Sequence, residues 1–371
     1  MKSAKILIVG GGIGGLTAAI ALRRQGFEVE IIEKDPAWKV YGVGIIQQSN
    51  VVRAMDALGL LDHYLSAAFG FDFVEVYLPN GTRVARIPSP KLIEGRPANL
   101  GIARPALHKV LGDRAIAAGA RVRLGVTALQ IRDDGTSVEV RFSDGTQGTF
   151  DLVIGADGVH SETRRLVAPS APAPEFTGQS VWRYNFPRPA ELDCLRAYEG
   201  PIGVGLVPLS ESLMYMFVTT PEPGTARYER NGLAATLRAK LSTAPPEIAA
   251  LVPQITDDAA VVYKPEECIL LEGDWHRGRI VLVGDAVHAT TPHLGQGAGM
   301  AIEDGIVLAE ELARHDTPEQ AFRAYRERRF KRCEFTVRLS RSICDSQLGK
   351  RERVDQAKAT MDMFKVMAQP L

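Results

Sequence analysis

The chain has 371 residues, 45% hydrophobic and 24% charged, which suits a globular protein with a sizeable core and two domains of ordinary size. Lys plus Arg and Asp plus Glu number 44 each, so no surplus of charge points to nucleic acid or to an anionic membrane. The four cysteines, Cys194, Cys268, Cys333 and Cys344, are far apart and in no metal-ligand spacing. They predict no metal site, and they fit a reducing cytoplasm better than a disulfide framework.

Lys2 and Lys5 precede an uncharged run from Ile6 to Leu22. That run is shorter than the roughly 20 residues a spanning helix needs. Its first half carries Gly10, Gly11, Gly12, Gly14 and Gly15, which disfavour an apolar helix, and no small-residue cleavage site follows. The run reads instead as a buried strand over Ile6 to Val9, a glycine turn, and a helix over Gly14 to Arg24. A second strand over Glu28 to Glu33 completes a βαβ opening.

Further along, Phe71 to Ile87 alternates apolar and polar residues around Pro79-Asn80-Gly81, a hairpin signal. A helix is predicted over Leu107 to Ala118 and a strand over Arg121 to Leu124. A second hairpin is predicted from Val138 to Phe142 and Thr149 to Ile154, turning at Asp144-Gly145. From about Glu175 to Val262 prolines become frequent and short β-like segments appear, such as Leu213 to Val218, with a helix over Leu233 to Leu241. This stretch reads as a sheet-rich domain inserted into the first. Arg279 to Val283 returns as a buried strand, followed by helices over Ala298 to Arg314 and Pro318 to about Ser342. The tail from Gln347, polar with scattered methionines and Phe364, reads as a loosely docked helix or an oligomer contact.

Three motifs carry chemistry. Gly10, Gly12 and Gly15 fit G-x-G-x-x-G directly after a strand. The first glycine permits the tight turn, the second lets backbone approach a pyrophosphate, and the third allows close helix packing. Glu33, at the end of the second strand, stands where an acidic residue accepts hydrogen bonds from a ribose. Together these features point to a dinucleotide without choosing between FAD and NAD. The second motif is Asp157-Gly158 after the apolar run Leu152 to Ile154. The third is Gly284-Asp285 after Arg279 to Val283, leading through Pro292 to Gly295-Gln296-Gly297-Ala298-Gly299.

In this order the three motifs resemble the class A flavoprotein monooxygenases, the relatives of para-hydroxybenzoate hydroxylase and salicylate hydroxylase. The resemblance spans residues 5 to about 305. It implies an α/β fold: a Rossmann-like FAD-binding domain of the GR2 type with an inserted, sheet-rich α+β substrate domain. On that layout residues 1–70, 100–174 and 266–345 form the FAD-binding domain. Residues 71–99 and 175–265 form the substrate domain, and 346–371 the tail. The resemblance implies FAD as cofactor, NADH or NADPH as a transient co-substrate, and O2. The implied reaction is hydroxylation of a small phenolic or N-heteroaromatic ring through a flavin C4a-hydroperoxide. An epoxidase, a Baeyer–Villiger or drug-inactivating oxygenase, and a flavin-bearing redox sensor without turnover remain alternatives on the same scaffold. A cytoplasmic monomer or homodimer is expected.

The resemblance also assigns roles. Gly10, Gly12, Gly14, Gly15, Glu33 and Lys34 would hold the ADP half of FAD. Arg104 would lie beside the pyrophosphate and ribityl chain, and Asp285 would accept hydrogen bonds from ribityl hydroxyls. Asp157 belongs to the segment associated with both FAD and the nicotinamide cofactor. Gly44 lies in the loop facing the ring, where Ser49 stands in place of the proline that often precedes Asn50. Gly295, Gly297, Ala298 and Gly299 would approach the isoalloxazine, with Pro292 near C4a. For the substrate, Tyr215 and His293 are candidates for handling a phenolic proton, and Arg183 for a carboxylate. Each has a plainer reading: a core tyrosine, a flavin-packing histidine and a structural ion pair. Plainer readings exist here too: Asp285 as a helix cap or strand-end turn, Arg104 as a surface ion-pair residue and Asp157 as a turn. His160 and His288 read as structural.

Overall fold

The computed structural model describes residues 4–40, 42–224 and 227–371, so Lys2 lies outside the described residues. Its first sheet has six strands in the order His276–Arg277, Ile280–Leu282, Leu152–Gly155, Lys5–Val9, Glu28–Glu33 and Arg121–Leu124. All neighbours pair in parallel except the short edge strand His276–Arg277. Ile6, Leu7, Ile8 and Val9 are all buried, as in a parallel sheet covered on both faces. The helix Ile13–Arg24 packs on the helix Gly297–Arg314. Small residues let them approach closely: a Cβ on Gly305 would stand 2.7 Å from the Ala18 nitrogen.

The second sheet has seven strands in the order Val262–Cys268, Glu175–Pro187, Leu213–Pro221, Gly203–Pro208, Leu195–Tyr198, Phe73–Tyr77 and Arg83–Pro88. The hairpin from the early part of the chain joins it through parallel pairing of Phe73–Tyr77 with Leu195–Tyr198. Strand alternation then sorts the side chains. Met214, Met216 and Val218 face a core with Trp182, Leu237 and Ile248, under the helices Leu233–Lys240 and Pro246–Leu251. Tyr215 and Phe217 face the opposite way.

The α/β expectation with a sheet-rich second layer is met, and three details differ. The segment Thr149 to Ile154 is not one strand. Gln147–Phe150 closes a three-stranded sheet with Val138–Phe142 and Ala128–Asp133, whereas Leu152–Gly155 joins the parallel sheet beside Lys5–Val9. The break falls at Asp151, whose carboxylate accepts from the Lys5 amide at 2.7 Å. A small sheet of Gly44–Gln47, Asn99–Ala103 and Ala68–Phe71 was not foreseen. The tail is not loosely docked: in the helix Gln356–Ala368, Ala359, Met363, Phe364 and Met367 form one buried stripe. Among the described residues no helix is long and apolar enough to cross a membrane.

Candidate active site

A cavity of about 650 Å³ lies where the C-terminal ends of the parallel strands meet the inner face of the seven-stranded sheet. This is the crevice in which open α/β sheets take ligands. One wall comes from the turns after Lys5–Val9, Leu152–Gly155 and Ile280–Leu282, the other from Arg183, Tyr215, Phe217 and Val262–Glu267.

The glycine turn divides its labour. Gly10 has φ +109°, and a Cβ there would meet the Ala156 carbonyl oxygen at 2.4 Å. A Cβ on Gly15 would stand 2.0 Å from the Gly10 oxygen. These two glycines serve close packing. Gly12 has nothing within 4 Å of its Cβ position, and it lines the cavity with Gly14. Glu33 is not on the cavity wall. Its carboxylate accepts from the Gly11 amide and the Asp35 amide, each at 2.9 Å. Trp38 and His108, which the sequence did not single out, both reach the Gly11 carbonyl at 2.9 Å. Lys34 is exposed and away from the cavity.

Asp157 also turns from the cavity. It accepts from Ser161 Oγ at 2.5 Å and from the amide and hydroxyl of Thr163 at 2.9 Å, so it caps a turn while Ala156, Gly158 and Val159 form the wall. Asp285 does line the cavity, at the start of the short helix Asp285–His288. The preceding Gly284 has φ +62° and donates its amide to Asp304 Oδ2 at 2.9 Å. Burial opposes the Asp304 charge, but His288 and Arg329 outweigh it and hold the carboxyl at about 2. Arg329 joins Asp304 to Glu303 at 2.8 and 2.6 Å, and Glu303 accepts from Asn50 at 3.0 Å. His288, Asp304 and Cys333 lie close enough to suggest a metal, but the Arg329 guanidinium already sits on this cluster.

The helix Gly297–Arg314 presents its N-terminus to the cavity through Gly297 and Ala298, with no acidic residue in its first turn. Such an end carries about half a positive charge and free N–H groups. Gly295 and Pro292 line the cavity beside it. Gly299 lies one layer back, where a Cβ would meet Gln296 Oε1 at 2.7 Å. Gln296 is hydrogen-bonded to Gln48 and Asn50, which fastens the end of the strand Gly44–Gln47.

Arg104 begins the helix Arg104–Ala117 on the cavity wall. It is half-buried, its enclosed Nε has no hydrogen-bond partner among the described residues, and desolvation with the nearby Arg183 pushes its pKa down to about 10. Arg183 is lowered by burial and partly restored by Tyr215 and Glu266. Burial pushes Tyr215 up to about 12, so its hydroxyl is protonated at neutral pH. A Cβ on Gly44 would stand 2.3 Å from Tyr215 Cδ1, so Gly44 makes room for that ring.

His293 follows Pro292 in sequence but is absent from the cavity wall. Its Nδ1 lies 2.9 Å from Thr291 Oγ1 and its Nε2 2.9 Å from Gln347 Oε1. Burial lowers its pKa to about 4. In the 3₁₀ turn Pro292–Leu294 successive side chains point about a third of a turn apart, so Pro292 lines the cavity while His293 points toward Gln347.

These features define a dinucleotide-type fold with a large cleft at its switch point, lined by apolar side chains and a few charged groups. A family model described as FAD binding domain matches residues 3–340. The 2-heptyl-3-hydroxy-4(1H)-quinolone synthase of Pseudomonas aeruginosa is 32% identical over 311 residues, 82% of this chain and 79% of that protein. The FAD-dependent urate hydroxylase of Klebsiella oxytoca is 31% identical over 367 residues, 95% of this chain and 93% of that protein. The crystal structure of Klebsiella pneumoniae HpxO complexed with FAD and uric acid superposes with a TM-score of 0.84 at 27% identity, over 98% of this chain and 92% of that one. The chain belongs to the FAD-dependent monooxygenases that carry this FAD binding domain.

Its own residues fit that cofactor. Arg104 Nε, without a hydrogen-bond partner among the described residues, the open approach over Gly12, the helix N-terminus at Gly297 and the Asp285 carboxylate surround one cavity.

Proposed function

We propose that this chain hydroxylates a small phenolic or N-heteroaromatic compound, using NADH or NADPH as reductant. One atom of O2 enters a ring C–H bond as C–OH, the other leaves as water, and NAD(P)H supplies two electrons. Bound FAD supplies the electron transfer and oxygen activation that amino-acid side chains lack. The observation that carries the reading is the half-buried Arg183 beside the buried Tyr215, on the wall opposite Asp285 and Gly297.

In this reading Gly12, Gly14 and Arg104 hold the pyrophosphate region, with Gly10 and Gly15 shaping the turn behind it. Glu33 fixes that turn through the Gly11 amide. Asp285 takes ribityl hydroxyls. The N-terminus at Gly297 and Ala298 faces the flavin ring and favours negative charge there, with Gly295 and Pro292 beside it. Asp157 acts through the turn it caps. Arg183 places a positive charge next to the substrate's phenolic oxygen, which stabilises the phenolate and activates the ring. Tyr215 donates a hydrogen bond to the same oxygen and orients it. Val181, Phe217 and Val262 keep water from the ring.

Purified protein assayed against a panel of phenols and hydroxylated N-heterocycles tests the proposal. It predicts a yellow protein that releases FAD on denaturation. At least one ring should accelerate NAD(P)H oxidation and gain a hydroxyl. A colourless protein that takes up no added FAD contradicts it, and so does a yellow one that oxidises no member of the panel.

A further inference from the structure

The strand Val262–Cys268 is the edge of the seven-stranded sheet and runs along the mouth of the cavity. Val262 pairs with Arg183, and Lys264 with Val181. Directly paired residues share a face, and the face repeats every second residue. Glu266 comes two residues further on, opposite a bulge between Phe176 and Ser180, and it faces the cavity with Arg183, whose charge acts on it. It is 5% exposed and lines the cavity, and neither carboxyl oxygen has a hydrogen-bond partner among the described residues. A buried carboxyl left unpaired is costly, so such a group persists where a ligand completes it.

We propose that Glu266 is a specificity-determining residue that selects substrates bearing a ring N–H, with an adjacent carbonyl, next to the anionic ring oxygen held by Arg183. The inference rests on the reading of this cavity as an aromatic substrate site, and it narrows the substrate class to lactam-type N-heteroaromatic rings. Burial pushes the Glu266 carboxyl up to about 8, against the pull of Arg183 and Lys264. In its neutral form one oxygen accepts and the other donates. That pattern matches an N–H beside a C=O, the edge of a lactam. A carbocyclic phenol offers Glu266 nothing to pair with.

The test uses two matched pairs differing by one atom: 4-hydroxy-2-quinolone against 4-hydroxycoumarin, and 4-hydroxy-2-pyridone against 4-hydroxy-2-pyrone. In each pair the N–H is replaced by a ring oxygen. Binding to the FAD-loaded protein is measured by calorimetry, which needs no turnover. The wild type should bind the N–H member of at least one pair about tenfold tighter or more, because losing a buried hydrogen bond leaves Glu266 unpaired. Glu266→Leu should reduce that preference to about twofold or less, and Glu266→Gln, which keeps an acceptor and a donor, should restore most of it.

Equal binding of both members of both pairs by the wild type overturns the proposal, as does no binding at all. A full preference retained in Glu266→Leu overturns it equally. The wild-type comparison decides the matter even if Glu266→Leu does not fold. A protein that shows the N–H preference yet hydroxylates no ring would sink the monooxygenation reading and leave this one standing.

Discussion

His293 Nε2 lies 2.9 Å from Gln347 Oε1, and the contact ties the turn at Pro292 to the end of the 30-residue helix Pro318–Gln347. Gln347 Oε1 also accepts from Gln179 at 2.9 Å and Thr219 at 3.2 Å, both in the seven-stranded sheet. An amide oxygen only accepts, so His293 donates from Nε2 and accepts the Thr291 hydroxyl at Nδ1. The ring is neutral, and through Gln347 it ties the turn at Pro292 to the seven-stranded sheet.

That state gives a pH signature. The folded pKa, about 4, lies below the ordinary value near 6.5, so the unfolded chain binds the extra proton. The stability His293 contributes is present above about pH 6.5 and is lost as pH falls toward 4. Between pH 8 and pH 5 the loss should come to about 2 kcal/mol. Urea unfolding of wild type and His293→Gln at the two pH values checks it. The destabilisation caused by His293→Gln should be larger at pH 8 than at pH 5. Equal values would show that the histidine carries no titration linkage.

Asp285→Ala should weaken FAD binding about ten- to a hundredfold, the worth of one charge-assisted hydrogen bond, with little change in fold. The Gly284 amide is held by Asp304 rather than by Asp285, so the turn survives the substitution. Titration of the apoprotein with FAD measures the affinity, and an unchanged dissociation constant would remove Asp285 from the binding set.

Tyr215→Phe should leave FAD content intact and uncouple the reaction. With its pKa near 12, Tyr215 is a donor at neutral pH and not a base. Its loss should lower product formed per NAD(P)H consumed, with hydrogen peroxide making up the difference. Wild-type yield from Tyr215→Phe would show that Arg183 alone positions the ring oxygen.

Arg329 is buried between Glu303 and Asp304, which are themselves fully buried. Removing one partner of such a cluster strands the others, at a cost of roughly 3 to 5 kcal/mol. Arg329→Met should lower unfolding free energy by that amount. It should also weaken FAD retention, because Asp304 holds Gly284 and Glu303 holds Asn50. A loss under about 1 kcal/mol would mean the carboxyls find other partners.

Much of this was legible in the sequence. The strand–glycine turn–helix opening and the strand Glu28–Glu33 could be read because apolar periodicity and glycine chemistry act locally. The inward aim of Tyr215 follows from its place between Met214 and Met216, once one face is known to be core. Other features depended on partners far along the chain. His293 reads as a neighbour of Pro292, but its direction is set by Gln347, 54 residues later. Glu266 sits among Lys264 and Glu267 in an edge strand, and its burial on the cavity wall depends on Arg183 and the sheet beside it, far away in sequence. The spacing of Ala359, Met363, Phe364 and Met367 was a helical stripe in plain view, and its docking needed the surface it covers.

In the proposed reaction a ring bound beside Arg183 and Tyr215 receives an oxygen atom from O2. The direct measurement is product mass after turnover of the FAD-loaded enzyme under ¹⁸O2 in ordinary water, repeated under ordinary O2 in H2¹⁸O. One heavy oxygen is expected in the product from the first experiment and none from the second. Label arriving from water, or a product that gains no oxygen at all while NAD(P)H is consumed, would contradict it.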